Sequence, residues 1–178
     1  MARKARIWFP GASYHIMCRG NHRHDIYRDD EDRQVYLTIL RETKRVHGFY
    51  LHSYCLMSNH VHLQIETVDI DISTIMKRIS LLYTQFFNNK YNFVGHLFQD
   101  RFKSELIESD QYHLEISRYI HLNPVRANMT ELSIDYEWSS FRDYMGIRVN
   151  SIVNKEKTLG YFSEPRAERY RMFVEGGK

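Results

Sequence analysis

His60 and His62 lie two residues apart in the stretch Ser58-Asn59-His60-Val61-His62-Leu63-Gln64-Ile65-Glu66, where polar and apolar residues alternate unbroken from His60 to Glu66. On a β-strand this spacing sends both imidazoles to one face and Val61, Leu63 and Ile65 to the other. The expectation is an accessible histidine face over an apolar core, with the two rings close enough to share one metal ion or one phosphate. Further along, Tyr119 and Asn123 stand at i and i+4, so a helix running through both stacks a phenol above an amide. Two nitrogens and one amide oxygen, with open positions for a phosphate oxygen, suit Mn²⁺ or Mg²⁺, although imidazole also accepts zinc or nickel. A phenol of pKa near 10 is ionised in only about one molecule in a thousand at pH 7, a handicap of roughly 4 kcal/mol that a nearby divalent cation reduces. Attack by such a phenol on a phosphodiester leaves a covalent phosphotyrosine, which keeps the bond energy for rejoining. Tyr112, two turns earlier on the same helix face, is the rival nucleophile.

The elements that must position these groups are legible in turn signals and periodicity. Ser13 to Arg19 reads as a first strand, between Pro10-Gly11 and Gly20-Asn21, with its facing left open. Asp30, Glu31 and Asp32 fill the first turn of a helix that repeats Tyr36, Ile39, Leu40 and Thr43 at helical spacing and ends at Gly48. Phe49 to Met57 is a second strand, and Ser58-Asn59 turns it into the histidine strand as a hairpin. Asp71 caps a helix whose Ile72, Ile75, Met76, Ile79, Leu82, Tyr83 and Phe86 form an apolar stripe. Gly95 to Ile107 reads as a strand, bent near Gln99-Asp100. Ser109 caps the helix of Tyr112 and Tyr119, which Pro124 is expected to stop, because the residue before a proline is pushed out of the α region.

Strand, helix, strand, strand, helix, strand is the order of a ferredoxin-like α+β sandwich: an antiparallel four-stranded sheet with helices on one face, plus an added C-terminal helix that carries Tyr119. At 178 residues the chain is expected to form one domain, with a core from about residue 10 to 128 and an extension from about 129 to 178. In the extension, Glu137 to Phe141 starts a short helix that packs Trp138, and Asn150 to Thr158 reads as a polar loop.

A net charge of +3 permits a nucleic-acid partner without demanding one. The basic arm of Arg3, Lys4 and Arg6, and cations set beside aromatic residues as in Arg101-Phe102-Lys103 and Arg118-Tyr119, suit stacking on bases next to phosphates. Two cysteines without CxxC spacing fit reduced thiols and a cytoplasmic location. The sequence shows neither an apolar run long enough to span a membrane nor a secretory signal.

Four blocks carry a resemblance: Tyr54 to Leu63, Phe98-Gln99-Asp100-Arg101-Phe102-Lys103-Ser104, Arg118 to Ala127, and Trp138-Ser139-Ser140-Phe141. They resemble those of the single-tyrosine HUH transposases, and most of all the REP-associated tyrosine transposase branch. The resemblance implies that His60 and His62 are metal ligands, Tyr119 is the nucleophile and Asn123 is the third ligand, where insertion-sequence relatives usually carry glutamine. Ser58 replaces a more usual proline, and Asn128 a common glycine. It further implies a monomer or homodimer that, with Mg²⁺ or Mn²⁺, cuts and rejoins single-stranded DNA beside hairpins, leaving a 5′-phosphotyrosine and a free 3′-hydroxyl. Arg3, Lys4, Arg6, Arg101, Lys103, Arg118 and Arg126 are then candidates for DNA contact.

Two other readings stay open at this level. A catalytically silent DNA-binding module would share the fold. A histidine-triad nucleotidyl transferase would explain His60-Val61-His62-Leu63-Gln64, make His62 the nucleophile and leave Tyr119 without a role.

Overall fold

The computed structural model describes residues 6–148 and 152–176, so Arg3 and Lys4 lie outside the described residues. The hairpin is the centre of the sheet. Strands β2 (Phe49–Leu56) and β3 (His60–Thr67) pair antiparallel, with one irregularity at His52. Strand β1 (Ser13–Arg19) runs along the other edge of β3, and the short β4 (Lys103–Leu106) pairs with β1. The order β2-β3-β1-β4, antiparallel throughout, is that of a ferredoxin-like sheet.

Alternation decides what each face receives. Tyr14, Ile16 and Cys18 of β1 join Val61, Leu63 and Ile65 of β3 in the main core. Helices α1 (Asp30–His47) and α2 (Ile72–Tyr91) close that face, contributing Tyr36, Leu40, Ile75, Ile79 and Tyr83. Both begin at aspartate caps. Asp29 accepts from the Asp32 backbone in a reciprocal capping box, and Asp71 accepts from Ser73 and Thr74. Lys90, in the last turn of α2, bonds Asp29, Glu31 and Asp32 and so ties the end of one helix to the start of the other. Gly20, just after β1, has no room for a side chain, since a Cβ there would fall 2.1 Å from the His24 carbonyl oxygen.

Three sequence expectations change here. The helix begun at Ser109 does not stop before Pro124: α3 spans Asp110–Arg126 with the proline inside it. Pro124 falls in the last turn, where the lost N–H costs one bond and the backbone closes beyond it, Ala127 N–H donating to the Asn123 carbonyl. The strand expected over Gly95 to Ile107 shrinks to Lys103–Leu106, because Gly95 to Phe102 leaves the sheet apart from a single bridge from Phe98 to Gly20. The Asn150–Thr158 segment is no polar loop where it is described. Ile152 and Val153 are buried, Asn154 N–H bonds the Leu51 carbonyl, and α5 spans Glu156–Leu159.

Helix α3 lies on the face of the sheet opposite α1 and α2, sealed by a smaller core of Cys55, Met57, Ile107, Ile116, Ile120 and Tyr136. Outside it pack the short α4 (Phe141–Tyr144), then α5, then α6 (Arg166–Glu175). The expected short helix thus begins at Phe141, with Trp138 half-buried before it. Tyr170 of α6 bonds Ser117 Oγ and His121 Nδ1, each at 2.6 Å, and His121 Nε2 reaches Ser140 Oγ at 2.7 Å. These buried groups form a satisfied network that holds α3 between the sheet and the tail.

Candidate active site

The histidine face is covered by α3 and is therefore not the open surface expected. His62 is 2% exposed and Gln64 fully buried, the latter bonding Ser53 Oγ and the His113 carbonyl. His60, two residues nearer the turn, remains half-buried. Tyr119 is 38% exposed, and its ring meets that of His62 edge-on at 5.5 Å between centroids. The two imidazoles stand 4.9 Å apart, also edge to face. The phenol and the histidine pair, about sixty positions apart in sequence, are thus brought together within one chain.

A third histidine joins them. His15 of β1 lies opposite Gln64 and diagonal to His62, since β1 and β3 pair with Met17 facing His62. Its ring stacks on that of His62 at 5.2 Å, its Nε2 is 2.9 Å from His62 Nδ1, and the Tyr119 ring meets it edge-on at 5.7 Å. The facing of β1 left open above is what concealed it. The alternation of Tyr14, Ile16 and Cys18 as the apolar partners was the available signal. Arg19, on the same face and opposite His60, was missed for the same reason.

Burial keeps these imidazoles neutral. The His62 pKa falls to about 2, first by desolvation and then by the neighbouring His15, His60 and Arg19. That of His60 falls to about 4 by desolvation and Arg19, while a hydrogen-bonding interaction with the Asn123 side chain works in the opposite direction. Desolvation also lowers His15, with Glu105 opposing. Neutral imidazole is the form that ligates a metal. Each ligand candidate has one ring nitrogen engaged, His60 Nδ1 with Asn59 Oδ1 at 2.6 Å and His62 Nδ1 with His15 Nε2. Nε2 is then the ring atom available to a metal on each, an arrangement in which outer partners orient metal-binding histidines. The Asn123 Nδ2 atom is buried without a hydrogen-bond partner. Turning that amide over would present its oxygen there, a suitable donor for a hard divalent cation. The residues present therefore fit a divalent metal, although no cluster of three His, Cys, Asp or Glu side chains placed for one occurs among the described residues.

Tyr112, the rival nucleophile, packs against the smaller core, and burial together with a bond to Glu105 pushes its pKa up to about 12. No ring contact joins it to the histidine cluster among the described residues. Of the cations, Arg126 lies 5.7 Å over the Tyr119 ring. Arg101 and Lys103 line, with Arg19 and Arg23, a cleft of about 190 Å³ beside the cluster. Arg6 is turned along the edge of the sheet, donating to Ser104 Oγ and the Phe102 carbonyl. Arg118 is held by Glu115 and stacks over Phe173 of α6 at 4.7 Å.

A four-stranded antiparallel sheet with a tyrosine helix laid across an HxH strand defines a class, and comparison with known proteins gives the family. Residues 9–123 match the family described as IS200-like transposases, and the chain belongs to it. Among solved structures, it is similar to a REP-associated tyrosine transposase bound to a REP hairpin, with a TM-score of 0.70 and 17% identity over 86% of this chain and 94% of that one. A candidate transposase from Deinococcus radiodurans R1 aligns over 67% of this chain and 95% of its own, at 20% identity and a TM-score of 0.47. No curated protein matches the chain significantly. Among the described residues, no helix is long and apolar enough to cross a membrane.

Proposed function

We propose that this transposase cleaves and rejoins single-stranded DNA beside hairpins, with Tyr119 as the nucleophile. The observation that carries the reading is the Tyr119 ring set edge-on against His62 beside His60 and Asn123, in a chain of the IS200-like family. The Tyr119 oxygen attacks the scissile phosphorus and loses its proton. The bond to the 3′-oxygen breaks, that oxygen leaves as a 3′-hydroxyl, and the 5′-phosphate stays on the tyrosine. Attack by a 3′-hydroxyl on the phosphotyrosine reverses the sequence and joins strands without ATP. His60, His62 and Asn123 would hold a Mg²⁺ or Mn²⁺ ion, which when bound supplies Lewis-acid polarisation of the phosphodiester. His15 keeps the His62 ring in place, and Arg126 over the Tyr119 ring provides positive charge near the developing phenolate. Because all these groups come from one chain, a monomer would hold a whole site.

The test is incubation of the purified protein with end-labelled hairpin-containing single-stranded DNA and Mn²⁺ or Mg²⁺, followed by denaturing gels. A DNA adduct that survives denaturation, and that disappears in Tyr119→Phe or with chelator but persists in Tyr112→Phe, supports the reading. Hairpins bound by the wild type but never cut would replace it with the silent binding module.

A further inference from the structure

The proposed chemistry leaves a sizeable hollow near the site unused. On the other side of the β1–β4 edge, α2 and the segment preceding β4 enclose about 630 Å³, within the range of pockets that hold small organic ligands. From α2 come Lys77, Ser80 and Thr84, and from the facing segment come Phe98, Arg101 and Phe102. Phe98 and Phe102 are half-buried, while Lys77 and Arg101 are exposed. The Arg6 guanidinium stacks 3.9 Å over the Phe102 ring and donates to its carbonyl, which fixes that ring in the wall.

Aromatic rings, small hydroxyls and flanking cations form the combination that takes an unpaired nucleobase: the rings stack on its face, hydroxyls bond its edge, and cations meet its phosphates. Position favours the same ligand. Gln99, Asp100 and Arg101 line both this cavity and the cleft of Arg19, Arg23 and Lys103, so the two hollows share one wall. Cys18 and Arg19, neighbours on β1, face the cavity and the cleft respectively. The cleft in turn adjoins the histidines, since Arg19 on its lining pairs with His60 across the sheet. Among the described residues Asp100 is the one acidic residue on either lining, so a polyanion leaving the cluster meets a path of cations that ends at the rings.

We propose that this cavity receives one unpaired base from the single-stranded segment flanking the cleaved phosphate, the backbone crossing the sheet edge over Gln99 to Arg101. This assignment rests on the function proposed above. The experiment compares fluorescence anisotropy of a labelled hairpin carrying single-stranded flanks of mixed sequence with the same hairpin lacking flanks, without metal so that nothing is cut. Ser80→Trp fills the cavity, and Lys77→Glu reverses charge at an exposed position where folding is not at risk. Each variant should lose about tenfold or more in affinity for the flanked hairpin, the worth of one stacked base. Each should bind the flankless hairpin as the wild type does, and an abasic site at one flank position should weaken the wild type but not Ser80→Trp. Equal binding of the flanked hairpin by wild type and both variants, or equal losses on both DNAs, overturns the assignment and leaves the proposed function standing. A wild-type chain that binds neither DNA overturns both.

Discussion

Replacing His15 with phenylalanine keeps a flat ring against His62 but deletes the nitrogen 2.9 Å from its Nδ1. His62 is 2% exposed, so water cannot replace the lost partner. A buried donor left unpaired costs about 1–3 kcal/mol of stability. The orientation of the ring is lost as well. Removing the outer partner of a ligating histidine weakens metal binding about 10- to 100-fold, which corresponds to roughly 1.4–2.7 kcal/mol. Calorimetric titration of the DNA-free protein with Mn²⁺ measures this directly, and circular dichroism melting follows the folding cost. His15→Gln, whose amide oxygen can accept from His62 Nδ1 in place of the imidazole Nε2, should recover most of the affinity. If His15→Phe binds Mn²⁺ as tightly as wild type while His60→Ala loses it, His15 does not orient His62 and the reasoning fails.

Tyr170→Phe removes two buried hydrogen bonds to Ser117 and His121 and should cost about 1–3 kcal/mol in urea unfolding; an unchanged midpoint would show that the network does not hold α3. His121, whose pKa burial pulls down to about 3, stays neutral in the folded chain while the unfolded chain takes up a proton below pH ~6.5. Its contribution is therefore intact above that pH and is lost on acidification, by roughly 2 kcal/mol at pH 5. Unfolding free energies measured from pH 7 to 4.5 should fall less steeply in His121→Gln, and parallel slopes would contradict this. Gly20→Ala forces a Cβ into the His24 carbonyl and should destabilise by about 1–3 kcal/mol, with the loss read from urea midpoints.

Elements with strong local signals were legible in the sequence. The acidic first turn of Asp30, Glu31 and Asp32, the Asp71 and Ser109 caps, the glycine stop at Gly48 and the turn at Ser58-Asn59 all stand where turn chemistry places them. Elements set by competition between local and distant forces were not. Pro124 alone reads as a stop, yet α3 continues for the two residues that follow it, since a proline in a final turn forfeits little. Residues 95–107 read as one strand bent near Gln99-Asp100, yet only Lys103–Leu106 pair with β1 in the sheet. Ile152 and Val153 sit in a polar stretch and are buried because the edge of β2 gives Asn154 a backbone partner.

The alternation from His60 to Glu66 by itself determined that His60 and His62 share a face, and helical spacing determined the same for Tyr119 and Asn123, because both periods are properties of the local backbone. Only the tertiary structure decided which layer covers the histidines. Cross-strand register put His15 behind His62, and packing put α3 on the face away from α1 and α2, which turned an exposed pair into a buried cluster against Tyr119. Register and layering depend on pairings between residues tens of positions apart. No local period records them.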